Sequence, residues 1–134
     1  MAITTYAAFV DAIEALTVTG VTKTYQGPPA ALNTADLPAL WCQAPKGDEA
    51  ALTFQTGGGW PTLTVDVFVA IEPAAQSMQA HNFARQVAAL DNLAAALRTV
   101  HVCKAPLSWS IRAAMISVAG ADYWGVVATV TGRG

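Results

Sequence analysis

Ten residues alternate without a break: "TLTVDVFVAI", Thr62–Ile71. In an extended chain Leu63, Val65, Val67, Val69 and Ile71 share one side, and Thr62, Thr64, Asp66, Phe68 and Ala70 share the other. The stretch predicts a strand with one side in a core. Its other side is amphipathic and open to being covered. Any fold for this chain has to be built around that sheet.

Other segments supply the layers. From Thr4 to about Thr17, Tyr6, Phe9, Val10, Ile13 and Leu16 recur at helical spacing, with Asp11 and Glu14 off the stripe. Thr4 or Thr5 can cap the start. "VTGVTKTY" alternates and suits a strand, with Gly20 marking a bulge or an earlier turn. "QGPPAALNTADLP" excludes regular structure, and Pro28 and Pro29 stiffen it toward polyproline geometry. "ALWCQA" reads as a short strand closed by Pro45, Lys46-Gly47-Asp48-Glu49 as a turn, and "ALTFQT" as a further strand. A long helix is expected from about Ala74 to Val100, with an apolar seam of Phe83, Val87, Leu90, Ala94 and Leu97 and an alanine-rich, slim body. Pro73 suits its first turn, and Pro106 stops continuation. Two last strands, about Ser108–Ala119 and Tyr123–Thr131, flank a Gly120-Ala121-Asp122 turn. The order predicts one α+β domain spanning residues 1–134: a mainly antiparallel sheet flanked by two helices.

Charge then narrows the function. Charged residues make up 12% of the 134-residue chain and hydrophobic ones 54%, whereas a typical soluble domain carries about 25% charged residues. Part of the surface is expected to be buried against partners in a permanent oligomer. Net charge is −2 and the basic residues form no stripe, so sequence-independent nucleic-acid binding is not expected. The start of the chain has no basic leader region, no apolar run approaches the ~20 residues of a membrane helix, and Cys42 and Cys103 read as free thiols in a reducing cytoplasm.

The residues do not assemble into a catalytic set. His81, His101, Cys42 and Cys103 lack the close pairs of a structural zinc site. Asp66 with Glu72, or Asp91 with Asp122, have no spacing that joins them as an acid–base pair. "TGGGW" lacks the Lys of a phosphate loop and reads as a flexible hairpin tip. Neither an enzyme nor a cofactor is expected. Asp66 and Arg112 are different: each sits mid-strand among apolar residues, where a charge needs a partner or exposure. The two can pair if their strands are neighbours; otherwise each points at solvent or at a subunit contact.

"LPALWCQAP" after a Pro-rich loop, "LTVDVFVAIEP" before a long helix, and the terminal "WSIRAAMISVAGADYWGVVATVTG" together resemble a tail terminator (tail completion) protein of tailed bacteriophages. The resemblance covers nearly the whole chain. It implies a sheet with flanking helices and no enzymatic activity or cofactor. It implies a homo-hexameric ring at the head–tail junction of the virion, made in the host cytoplasm. The ring would cap the major tail tube protein, end tube polymerisation and meet the head connector, with DNA passing through the lumen without specific binding and no membrane involved. The family offers no residue-level contact signature. From the residues themselves, the candidates for subunit or tube contact are Trp109, Arg112, Tyr123 and Trp124 on the terminal hairpin, and Phe54 and Trp60 flanking Gly57, Gly58 and Gly59. Two alternatives stay open: another phage neck or minor tail protein, such as a head-closure subunit, and a small cytoplasmic binding domain with a pocket under the long helix.

Overall fold

The computed structural model describes residues 6–48, 62–73, 79–100 and 108–133. The fold is α+β. Helix α1 (Tyr6–Glu14) leads to β1 (Lys23–Thr24), a 3₁₀ turn (Thr34–Asp36), β2 (Ala39–Asp48) and β3 (Thr62–Pro73). Helix α2 (Gln79–Leu97) and the hairpin β4 (Ser108–Val118) and β5 (Ala121–Arg133) follow. The sheet order is β1-β2-β3-β5-β4, antiparallel throughout except for the β1–β2 pair.

β3 is the centre of this arrangement, as its alternation demands. Leu63, Val65, Val67, Val69 and Ile71 are buried on one side. There they meet Leu40 and Cys42 of β2 and Val126, Ala128 and Val130 of β5. Both helices lie on this same side: Phe9 and Ile13 of α1 and Leu93, Ala96 and Leu97 of α2 belong to the one core. The opposite side of the sheet carries no helix among the described residues. At one end it is covered by the Pro-rich connection, whose Tyr25, Leu32 and Leu37 pack on Trp41, Ala70, Ile116, Tyr123 and Val127.

That connection is tied down by polar contacts that its irregular backbone leaves available. Glu14 accepts a hydrogen bond from the Gly27 amide at 3.0 Å. Tyr25 donates to Asp36 at 2.9 Å, and Lys23 lies 4.9 Å from the centre of the Tyr25 ring and 3.9 Å from the Asp36 carboxylate. Burial, then the bond to Asp36 and its charge, raise the Tyr25 phenol above its ordinary value.

Several expectations are corrected. The strand expected over "VTGVTKTY" shrinks to Lys23–Thr24, because Val18 and Val21 are used in a tight turn closed by a Val21–Val18 backbone bond of 3.2 Å. β2 does not stop at Pro45. A register shift between Gln43 and Lys46, with Ala44 at φ 53°, takes Pro45 out of the ladder. Lys46 and Gly47 therefore pair with Thr64 and Leu63 instead of forming a turn. The hairpin turn is Ala119–Gly120, both at positive φ (52° and 81°), and β5 begins at Ala121. The expected strand "ALTFQT", the Thr4 and Thr5 caps, His101 and Cys103 lie outside the described residues.

The helical seam is corrected most. Phe83 is 61% exposed and Val87 43%, while Asn82, Gln86, Leu93, Ala96 and Leu97 are buried. The buried stripe is turned by about one residue step, 100°, from the expected one. The cause is a hydrogen bond: Gln86 Nε2 donates to the Gly125 carbonyl at 2.9 Å, so a polar side chain occupies the sheet-facing position.

Candidate functional site

The two-sided sheet gives the chain four surfaces that can carry function. The first is the open side of the sheet beyond the Pro-rich cover. Thr64 and Thr131 hydroxyls meet at 3.3 Å, and Thr129 donates to Asp66 at 3.0 Å. Arg112 lies on this side too and is exposed. Asp66 and Arg112 are not on neighbouring strands, because β5 runs between β3 and β4. Two strand spacings separate them, about 10 Å. The expected pair is absent among the described residues: Asp66 uses Thr129 instead, and Arg112 has no ion pair there.

The second is the terminal hairpin. Trp109 is half-buried against the helix-side core, and Tyr123 is buried in the cluster on the opposite side. Trp124 pairs with Met115 and Glu72 on the helix side. Its indole N–H is buried and makes no hydrogen bond among the described residues. Arg112 alone of the four is exposed. Phe54, Gly57, Gly58, Gly59 and Trp60 lie outside the described residues.

The third surface is one the sequence reading placed in the core. Phe83 and Val87 form an exposed apolar stripe on α2, and Leu90 continues it toward the core. Helical geometry puts this stripe on the side of α2 away from Arg85, Ala88 and Asn92, which face the turn after α1. It therefore faces β4, whose helix-side Met115 is 51% exposed. β4 is also the end of the sheet. Its outer backbone groups have no strand partner among the described residues. No periodicity signal could have revealed this, since Phe83 and Val87 fit a buried seam as well as an exposed one.

The fourth is a cavity of about 160 Å³ between α2, the Val18–Val21 turn and the end of β3. Arg85, which forms an ion pair with Glu72, stands at its edge.

Among the described residues, no group of three or more His, Cys, Asp or Glu could hold a metal ion. Cys42 is buried, and that burial, with the Glu14 charge second, pushes its thiol up to about 12. Such a thiol is inert as a nucleophile near neutral pH. No helix of the described residues is long and apolar enough to cross a membrane. No protein-family model matches the chain, and a search of curated proteins finds no match.

Proposed function

We propose that this chain is a ring-forming structural subunit of a tailed bacteriophage, a tail terminator. Six copies cap the tail tube, end its polymerisation and join it to the head connector, and DNA threads the lumen without being held. The observation that carries this reading is the apolar stripe of Phe83 and Val87 beside exposed Met115, along an 11-residue edge strand with no outer strand partner among the described residues. A lone subunit gains nothing by leaving such a surface in water, and natural proteins usually blunt an uncovered edge with Lys, Pro or a bulge. β4 has no Lys, Pro or bulge, and Arg112 is its one charged residue. A ring subunit needs a lateral surface of this kind on each flank, because its contacts are head-to-tail. The polar Thr-rich side of the sheet and the low charge of the chain agree with a protein whose surroundings are mostly other proteins.

Electron microscopy of tails assembled with an epitope-bearing copy tests the reading. The expected result is label at the head–tail junction, on a closed ring with six-fold symmetry, and unterminated over-long tubes when the chain is omitted. Label elsewhere on the particle, or tubes of normal length without the chain, overturns it.

A further inference from the structure

The cavity beside α2 is built for an occupant, and this conclusion does not depend on the ring. Its lining is mostly apolar: Val18, Val21, Val69 and Ile71, with Ala88 and Ala89 on the helix. Ala88 and Ala89 contribute only methyl groups, and Arg85 and Asn92 of the same helix complete that wall. At about 160 Å³ it has the volume of the engineered apolar cavities of about 150 Å³ that take up benzene, although it is partly open to solvent.

Its polar groups are specific in kind. The Asn92 side chain is half-buried at the cavity and makes no hydrogen bond among the described residues. A Cβ placed on Gly20 would lie 3.9 Å from Asn92 Nδ2, so the turn approaches the amide without engaging it. The carboxamide thus offers one donor group and one acceptor to whatever enters. Among the described residues, Arg85 is the only charged residue that lines the cavity, and its guanidinium is held by Glu72. The site therefore has no net charge with which to select an ion.

We infer that the cavity binds a small neutral amphipathic molecule, with an apolar body of about four to six carbon atoms that ends in a carboxamide. The apolar body fills the space under Ala88 and Ala89. The carboxamide pairs with Asn92, donor to acceptor in both directions. A carboxylate of the same shape binds more weakly, because it gives Asn92 acceptors only and finds the Arg85 guanidinium already held by Glu72.

Isovaleramide and benzene are the probes, read by backbone amide shifts on the full chain. The expected result is saturable shifts confined to Gly20, Val21, Ala88 and Ala89, with a Kd for isovaleramide of about 0.1–1 mM, as its seven non-hydrogen atoms allow. Isovalerate should bind several-fold more weakly at neutral pH. Ala88→Leu, which fills the space from a solvent-facing helix position, should abolish both probes' shifts while the remaining spectrum stays native. Asn92→Ala should weaken isovaleramide about tenfold and leave benzene unchanged, since a hydrogen-bond pair of this kind is worth about that factor. Absence of saturable shifts for both probes at about ten times the expected Kd overturns the site. Shifts that persist in folded Ala88→Leu overturn its location. Equal effects of Asn92→Ala on both probes overturn the carboxamide assignment.

Discussion

Trp41 of β2 and Phe68 of β3 stand directly opposite each other, and their rings stack with centroids 5.7 Å apart and planes within 6°. Trp41 is fully buried although it lies on the side of the sheet that has no helix, and its indole N–H donates to Gln43 at 2.9 Å. The stack anchors the Pro-rich connection to the sheet. Trp41→Ala should cost about 3–5 kcal/mol of stability, the usual range for emptying a buried aromatic site. A double-mutant cycle with Phe68→Ala should show about 0.5–1.5 kcal/mol of coupling, measured by urea unfolding. Coupling near zero would mean that the two rings pack independently.

Gly125 is fixed by its neighbours. A Cβ there would collide with the Ile116 side chain and approach the Val69 carbonyl to 2.6 Å. Backbone cannot yield as a side chain can. Gly125→Ala should lower stability by about 1–3 kcal/mol. The same change disturbs the carbonyl that accepts from Gln86, so the amide of Gln86 should lose hydrogen-exchange protection as well.

Arg112→Glu should leave the melting temperature of the isolated subunit almost unchanged, because the side chain is exposed and has no ion pair among the described residues. If the ring reading holds, the same variant should fail to terminate tubes. A large loss of thermal stability in the monomer would show that Arg112 has a partner within its own subunit.

Phe83→Ser with Val87→Ser should likewise preserve the fold, since both side chains are largely in solvent. If the ring reading holds, co-sedimentation with tail tubes should drop by an order of magnitude or more, in keeping with apolar anchors at the centre of an interface. Unchanged co-sedimentation would remove the stripe from the contact surface.

Cys42 gives the fold an alkaline limit. Its thiol has an ordinary value of 9.0 and is pushed to about 12 in the folded chain. The folded state therefore holds the proton that the unfolded state releases, so this contribution is complete below pH 9 and is lost as pH rises toward 12. Wild type should lose a few kcal/mol over that window, about 1.4 per pH unit, relative to Cys42→Val. Parallel curves for the two proteins would mean that the thiol is not held in its neutral form. A thiol reagent at pH 8 should modify Cys42 only on unfolding.

The parts legible in the sequence were those where one rule acts alone. β3 follows strict alternation from Leu63 to Val69, and the burial agrees residue by residue. The rule then breaks at Ile71, an extra residue in the pairing with β5, so that Glu72 pairs with Trp124 and turns toward the helix and Arg85. Continued alternation would place Glu72 on the side of Asp66. The α2 seam failed for a related reason. Apolar spacing names the apolar residues of a helix, but Gln86 took an inward position through a long-range contact that local pattern does not encode, and Asn82 is buried one turn before it. The open edge at β4 was illegible because sheet order is a property of topology.

The two ends of the sheet differ in capacity: β1 contributes two residues and β4 eleven. β1 pairs only with Ala39 and Leu40 of β2, so among the described residues both ends of the sheet offer unpaired strand as a template, and the longer stretch is β4. In a cell, such a template is safe only while its consumer is in supply. If the ring reading holds, the chain should be made in step with the component that covers β4, and a surplus should turn up as fibrillar or insoluble material rather than as free subunit.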